Sequence, residues 1–295
     1  MNTSKTILFF GTDDFSVPTL QALIDAHYSV VAVVTKPDSK QGRGQILTPP
    51  AVKVLAEKHG IPVWQPTQVS DITDDIRELQ PVVGVLSSYG KIIPQSILDL
   101  FEPGIINVHP SLLPKYRGPS PIESAITNGD RQTGVSIMQL TKRMDAGPVY
   151  RQEILQLAGT ETHPILYDKL SHLGANLLVS ILPAIIEDGM KPTPQEEDGV
   201  SYSKLLKKSD AFIDPSHLTA DEIERRVRAY TTFPRTKYTL FNQAIIITKA
   251  HVAEEDEGLS LKCRDGRFLA IDELIGPSGK RMSGTDFKNG YAAAG

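Results

Sequence analysis

The sequence is poor in cysteine and lacks a long apolar run. Cys263 is the single cysteine among 295 residues, which excludes an intramolecular disulfide and a zinc site built from several cysteines. No stretch approaches the roughly 20 apolar residues that cross a bilayer. The N-terminal residues lead directly into the apolar run 6–10, which favours a buried strand over a signal peptide. These absences are typical of a protein of the reducing cytoplasm.

A large excess of charge of either sign is also missing. The formal net charge of −4 argues against a surface coated in basic residues for nucleic acid. The balance differs along the chain, because residues 1–203 carry 16 basic and 22 acidic residues, whereas residues 204–295 carry 15 basic and 13 acidic residues. The second part is therefore better suited to following a phosphate backbone, without base readout.

Short apolar strands alternate with helices over the first part of the chain. Strands are predicted at 6–11, 29–35, 61–64, 82–87 and 104–109, and helices at 16–27, 51–60 and 72–80. This alternation indicates an α/β fold with a doubly wound, mostly parallel, Rossmann-like sheet covered on both faces. Ligands of such sheets bind at the carboxyl ends of the strands, so functional residues are expected just after each strand.

The character of the sequence changes near residue 190. Residues 190–203 contain two prolines, a glycine and an acidic cluster without periodicity, which predicts a linker between a domain at 1–189 and another at 204–295. In the second domain, Thr219 opens a capping box before a predicted helix. Short strands at 237–241, 244–252, 258–264 and 267–274 predict a small β-barrel of the OB-like kind.

Three polar residues stand where the predicted sheet would bind a ligand. Asn107 and His109 are two residues apart, so they point to the same side at the tip of one strand, and Pro110 ends that strand. Asp145 lies in a glycine-containing loop after another predicted strand, 134–140. Taken singly, a strand-end histidine satisfied by its surroundings and an Asx turn are ordinary explanations.

Together, an amide, an imidazole and a carboxylate suit acyl transfer to an amine. Attack by an amine on a carbonyl carbon builds negative charge on oxygen, which needs a pair of donors, and positive charge on nitrogen, which needs a proton acceptor. Asn107 and His109 can be the donors, and Asp145 can accept the proton directly or through water. We therefore expect the Asp145 loop to meet the His109 strand tip and orient the imidazole ring.

The runs that contain these residues resemble a known family. The pair Asn107 and His109, the run 111–114 (SLLP) and the run 144–147 (MDAG) are similar to those of the 10-formyltetrahydrofolate-dependent formyltransferases. The resemblance implies that Asn107, His109 and Asp145 are catalytic, that 10-formyltetrahydrofolate is the formyl donor, and that no metal takes part. The folate-binding residues that it implies are Leu86, Tyr89, Gly90, Ile92, Ser111, Leu112, Leu113, Pro114 and Thr141.

Members of this family formylate different amines, and three segments favour methionyl-tRNA. The opening 10–18, the pattern at 35–53 and the C-terminal part are similar to those of members that act on methionyl-tRNA. The resemblance implies initiator methionyl-tRNA as partner, with Lys36 and Arg43 as tRNA contacts, in a monomeric cytoplasmic enzyme of translation initiation that does not bind a membrane. A departure is that Gln45 and Ile46 stand where this family usually has lysines, which weakens the expected phosphate contacts.

Other interpretations of the same residues remain open at this point. A sugar-nucleotide formyltransferase shares the catalytic trio, and a folate- or tRNA-binding module would bind without turnover. A dinucleotide-dependent oxidoreductase lacks its Gly-x-Gly-x-x-Gly after the first strand, and a metal hydrolase lacks a paired-histidine motif. The arginines at 225, 226 and 228 allow either a tRNA contact or a solvated helix face.

Overall fold

The computed structural model describes residues 6–42, 44–81 and 83–291. The chain divides into two compact units. Unit 1 comprises Met1–Gly118, Thr133–Leu155 and Tyr167–Tyr202, and unit 2 comprises Pro119–Gln132, Gln156–Leu166 and Ser203–Gly295. Most of the segment predicted as a linker thus lies within unit 1.

A seven-stranded sheet organises unit 1. The described strands before residue 203 are β1 (Thr6–Gly11), β2 (Ser29–Val34), β3 (Ser39–Gln41), β4 (Ile46–Thr48), β5 (Val63–Trp64), β6 (Val83–Ser87), β7 (Ile105–His109), β8 (Gln132–Gln139) and β9 (Val149–Gln156). The sheet order is β5-β2-β1-β6-β7-β8-β9, while β3 and β4 pair with each other as a hairpin. Strands β5, β2, β1, β6 and β7 are parallel, and β8 runs antiparallel to β7. The carboxyl ends of the parallel strands therefore share one edge.

Helices connect these strands. They are α1 (Val17–Asp25), α2 (Ala51–Lys58), α3 (Thr73–Leu79), α4 (Gln95–Leu98), α5 (Pro121–Thr127) and α6 (His163–Ile186). Helix α1 has Pro18 in its first turn, where proline's missing N–H costs no helical hydrogen bond. Ser16, where the predicted helix starts, directly precedes α1, and its side chain makes no capping bond. Its hydroxyl donates to Asp13 O instead (2.6 Å).

The continuous apolar strands are buried because elements of the same unit cover the sheet. The ring of Phe10 meets the rings of Tyr89 and Phe101 edge-on, with centroids 5.7 Å and 6.3 Å away. The core cluster around them consists of Leu8, Ala32, Val34, Val69, Ile72, Ile76, Leu86, Ile93, Ile97, Leu98 and Ile105. This packing holds the tips of β1, β6 and β7 on a rigid support.

Helix α6 is 24 residues long and rich in apolar side chains. Among the described residues, it is the helix that is long and apolar enough to cross a membrane by those two measures, contrary to the expectation that no stretch approaches the length of a membrane span. Half of its most apolar stretch is buried inside the protein, and core helices of globular proteins can be equally long and apolar. Its buried residues include Leu170, Leu178 and Leu182.

Unit 2 contains an antiparallel sheet with a helix on its apolar side. Its elements after residue 203 are α7 (Ala220–Ala229), β10 (Thr236–Leu240), β11 (Gln243–Ala253), β12 (Ser260–Lys262), β13 (Phe268–Ile275), β14 (Arg281–Ser283) and α8 (Gly284–Tyr291). The strand order is β10-β11-β13-β12, and β14 also pairs with β13. The capping box predicted at Thr219 is present, since Thr219 and Glu222 each accept from the other's backbone N–H.

The predicted fold class is confirmed: a mostly parallel Rossmann-like sheet is followed by a curled antiparallel sheet of barrel-like form. The sequence did not predict α6, β9 or the hairpin of β3 and β4.

Candidate active site

Strand β7 brings Asn107 and His109 to the edge where the parallel strands end. In register, Asn107 lies opposite Leu86 of β6 and Met138 of β8, and His109 lies opposite Ser136 of β8. Both residues are 5% exposed. Because β7 is flanked on both sides, its backbone cannot shift easily, and the two side chains project in the same direction from a fixed strand.

The imidazole of His109 is held through its Nε2 atom. Nε2 lies 3.1 Å from the carbonyl oxygen of Tyr116. A carbonyl oxygen only accepts, so Nε2 carries the proton and donates it. Nδ1 is then the ring nitrogen left for chemistry, and Nδ1 can donate to a substrate only when the ring carries a proton on both nitrogens.

Asp145 reaches this imidazole from the loop between β8 and β9. The loop is closed at its base by Gln139, whose backbone N–H donates to Pro148 O (2.9 Å). The carboxylate Oδ2 accepts the backbone N–H of Gly118 at 2.8 Å and lies 3.7 Å from His109 Nδ1. The latter distance is too long for a hydrogen bond but brings the carboxylate against the ring. The structure thus joins the loop and the strand tip as expected.

The side-chain amide of Asn107 has free hydrogen-bonding capacity. Within the described parts of the chain, it makes no hydrogen bond, although the residue is 5% exposed. It is therefore available to donate to a bound molecule beside His109.

The turn that follows β7 is fixed by one buried hydroxyl. Ser136 Oγ donates to Ser111 O (2.6 Å) and accepts from the backbone N–H of Leu113 (3.1 Å) and from Gln152 Nε2 (2.8 Å). Ser111 Oγ in turn donates to Lys115 O (2.6 Å). The predicted folate-site run 111–114 is therefore a rigid turn whose side-chain hydroxyl is already used by the protein.

The loop after β6, which contains three of the predicted folate residues, is tied to the loop after β1. Thr12 Oγ1 donates to Tyr89 O (2.8 Å), and Ser88 Oγ donates to Asp13 Oδ2 (2.9 Å). Burial raises the pKa of the Asp13 carboxyl, against the lowering effect of the Ser88 bond. The loop is thus anchored rather than loose.

The predicted folate residues differ in what they offer. The side chains of Leu86 and Tyr89 belong to the core, and burial raises the pKa of Tyr89 to about 12. Ile92 is 86% exposed. Leu112 is half-buried, and its side chain lies against Gly134. Thr141 is half-buried and donates to Arg143 O (3.2 Å).

Lys36 follows β2 at the same edge of the sheet. Its Nζ lies against Gly90, a left-handed residue (φ 70°) of the loop after β6. The backbone beside it is fixed, because Lys53 binds Asp38 at 2.9 Å and Gln65 donates to Lys36 O. Hydrogen bonds from Gln65 and Lys53 lower the pKa of Asp38.

Arg43, the other predicted tRNA contact, lies outside the described residues. The flanking hairpin presents Ile46 and Leu47, which are 70% and 63% exposed. Strand β4 therefore presents an exposed apolar side chain at Ile46, one of the two positions where the resemblance implied a lysine.

Two of the arginines of α7 serve packing within unit 2. Arg225 Nε donates to Thr127 O (3.0 Å), while Arg228 binds Glu224 (2.7 Å) and donates to Glu161 O (2.8 Å). These bonds favour the structural interpretation for both residues over a tRNA contact.

Two residues at the site were not singled out from the sequence. Arg117 is 1% exposed, and its guanidinium donates to the side chain of Gln195. Gln195 in turn donates to the Asp145 loop. The position of Arg117 in the run 115–118, directly after the predicted folate-site turn, is a sequence signal that could have pointed to it. No such signal marks Gln195, because it lies in the segment that was predicted as a linker.

No group of three or more His, Cys, Asp or Glu side chains placed to hold a metal occurs among the residues that the structure describes. A cavity of about 470 Å³ opens beside Leu113 and Pro114, but it is lined by neither Asn107, His109 nor Asp145.

Comparison with known proteins gives consistent matches along the chain. Residues 5–182 match the family described as formyl transferase, and residues 205–292 match the family described as formyl transferase, C-terminal domain. The chain is 38% identical over 298 residues to a methionyl-tRNA formyltransferase of Halorhodospira halophila, covering 96% of both chains. It is 37% identical to the methionyl-tRNA formyltransferase of Myxococcus xanthus, covering 98% of this chain and 96% of that protein.

Among solved structures, HypX from Aquifex aeolicus in complex with tetrahydrofolic acid has a similar fold. The TM-score is 0.67 with 17% sequence identity, and the match covers 97% of this chain and 47% of HypX. At this identity the likeness concerns the fold alone.

Proposed function

Because this chain belongs to the formyltransferase family, we propose that it transfers the formyl group of 10-formyltetrahydrofolate to the α-amino group of initiator methionyl-tRNA. The observation that carries the proposal is the similarity to methionyl-tRNA formyltransferases over 96% of both chains, which includes unit 2 as well as the catalytic strand tips. The product, formylmethionyl-tRNA, serves translation initiation. Formyl transfer needs no covalent enzyme intermediate, since the substrate amine itself attacks.

In the proposed mechanism, Asn107 and His109 stabilise the negative charge that develops on the formyl oxygen. Asn107 donates from its otherwise unpartnered amide. Because the Nε2–H of His109 is engaged by Tyr116, His109 donates from Nδ1 with a proton on both ring nitrogens. Asp145 accepts the proton that the attacking amine loses, directly or through one water. As the new C–N bond forms, the bond from the formyl carbon to the folate nitrogen breaks, and that nitrogen takes up the proton that Asp145 accepted from the amine, directly or through one water.

The folate is proposed to bind against the loop after β6 and the loop that bears Asp145. Backbone groups do most of this work, because Tyr89 has its side chain in the core and Ser111 has its hydroxyl bonded to Lys115. Gly90, Ile92, Leu112 and Pro114 supply exposed or half-buried surface. Anchored loops of this kind reduce the ordering cost of binding.

For the tRNA, we propose contacts with Lys36 and Arg43 at the edge of unit 1. Lys36 is positioned by the Lys53–Asp38–Gln65 cluster. We further propose that the protein is a cytoplasmic monomer that does not bind a membrane, in keeping with the partly buried position of α6.

The acceptor is tested by presenting the purified protein with 10-formyltetrahydrofolate and one amine at a time. We expect formylation of charged initiator methionyl-tRNA, and none of an amino-sugar nucleotide. Uncharged tRNA, which lacks the amine, is the matched control. Preferential formylation of the amino-sugar nucleotide would overturn the acceptor assignment while leaving formyl transfer intact. Binding of both substrates without product would support a non-catalytic module instead.

A further inference from the structure

Residues 193–202, named here the returning segment, bind both loops of the site. Near its start, Thr193 and Val149 exchange two backbone hydrogen bonds of 2.8 Å at the beginning of β9. Near its end, Ser201 Oγ accepts the backbone N–H of Tyr116 (2.9 Å), the residue whose carbonyl holds the catalytic imidazole. The returning segment therefore connects the support of the histidine with the support of the aspartate.

Between these anchors, the side chain of Gln195 is fully engaged. Its Nε2 donates to Asp145 O (2.8 Å) and to Gly147 O (2.7 Å), while its Oε1 accepts from Arg117 Nε (3.0 Å) and Nη2 (2.8 Å). Carbonyl oxygens only accept and a guanidinium only donates, so the amide has a single possible orientation. Each hydrogen-bonding position of the Gln195 amide is used.

The loop needs such support because of its backbone conformation. Asp145 has φ 46°, in the left-handed region that residues with a side chain rarely adopt. Such conformations persist where the surroundings hold them. Arg117 can hold its partner firmly, because it is 1% exposed and its own backbone N–H donates to Ser201 O (2.9 Å).

We infer that Gln195 is a positioning residue for Asp145, with Arg117 fixing the orientation of the Gln195 amide. The inference rests on the proposed catalytic role of Asp145. Gln195 holds the carbonyl groups of Asp145 itself and of Gly147, and so keeps Oδ2 at the Gly118 N–H and 3.7 Å from His109. Misplacing a reacting group by about 1 Å can lower a rate by roughly 100-fold.

Two substitutions separate the contacts of Gln195. Gln195→Glu keeps the partner of Arg117 but faces two carbonyl oxygens with a carboxylate oxygen, and Gln195→Ala removes all four bonds. We expect kcat to fall by about 10-fold or more in both variants, with KM for folate and for tRNA within about two-fold of the original values. Glu197→Gln, an exposed change in the same segment, is the matched control and should leave kcat unchanged.

A double substitution tests whether Gln195 acts through Asp145. In an Asp145→Asn background, Gln195→Ala should lower kcat by less than about two-fold, because the group that it positions is already disabled. Equal losses in both backgrounds would overturn the inference. It would also be overturned if both Gln195 variants kept normal kcat with only a lower melting temperature, or if neither variant folded.

Hydrogen exchange of the peptide 140–148 gives a readout that does not depend on the acceptor. Gln195→Ala should speed exchange in this loop at least several-fold, whereas Glu197→Gln should not. If the original protein fails to formylate methionyl-tRNA but the loop responds, the proposed function fails and the positioning contact stands. Unchanged exchange together with unchanged kcat would remove Gln195 from the site.

Discussion

Replacing Asp145 by asparagine isolates the charge of the carboxylate from its shape. Oδ2 accepts the backbone N–H of Gly118 at 2.8 Å and lies 3.7 Å from His109 Nδ1. An asparagine oxygen can keep the bond to Gly118, so the free energy of unfolding should change by less than about 1 kcal/mol. Asp145→Ala also removes the acceptor of a charge-assisted bond and should lower the free energy of unfolding by about 1.5–3 kcal/mol.

The expected catalytic loss is much larger than the loss of stability. An asparagine cannot take the proton from the attacking amine, and loss of a positioned proton acceptor typically costs about 10²–10⁴ in rate. At about 1.36 kcal/mol per decade, this raises the barrier by about 3–5 kcal/mol. Both Asp145 variants should therefore show a similar drop in kcat, although only the alanine variant is clearly less stable.

Single-turnover formylation of methionyl-tRNA, with denaturant unfolding of the same samples, measures both quantities. Asp168→Asn is a matched control, since His172 Nδ1 and Asp168 Oδ1 are 3.6 Å apart on exposed α6 surface. The control should react at the original rate. A rate within about three-fold of the original in Asp145→Asn would refute the proton-acceptor role.

Three further outcomes are expected. Ser136→Ala should lower the free energy of unfolding by about 2–3 kcal/mol in denaturant titrations, because the buried N–H of Leu113 loses its acceptor; a change below about 0.5 kcal/mol would contradict the bracing role. The hydrogen bond to Glu257, and the nearby charge of Asp272, raise the pKa of His251 above 6.5, so the stability gained from its protonated form is present below pH 6.5 and lost as the pH rises through the raised pKa. His251→Gln should accordingly lower the melting temperature more at pH 6 than at pH 9, and an equal effect at both would contradict this. Lys36→Ala should weaken tRNA binding and reduce the salt dependence by about one phosphate contact, measured by titration at several salt concentrations; an unchanged slope would remove Lys36 from the interface.

Local signals accounted for the fold class and for the meeting of His109 with Asp145. These signals, such as continuous apolar strands and the capping box at Thr219, are each contained in a short stretch of chain. The rule that ligands bind at strand ends then places Asn107, His109 and Asp145 together. The same signals missed α6, which is apolar around much of its surface, so its periodicity is weak. They also missed β9, because most of that strand is exposed and it lies at the edge of the sheet.

The contact of Gln195 with the Asp145 loop could not be predicted from local pattern. The two residues are 50 positions apart in sequence, and proline, glycine and acidic residues around Gln195 are typical of a connecting segment. Only the folded chain shows that this stretch pairs with Val149 and Tyr116 on its way out of unit 1.

The path of the returning segment determines where the chain could be joined to that of a related enzyme without separating Gln195 from the Asp145 loop. In a hybrid protein joined at residue 189, residues 193–202 would come from a different parent than the Asp145 loop. Arg117 would then face a glutamine only if the second parent has one at position 195. A junction after Tyr202, the last residue of unit 1, would keep Gln195 and Arg117 from the same parent, although it separates 203–295 from the two earlier segments of unit 2. Of the two junctions, the later one should therefore disturb the Asp145 loop less.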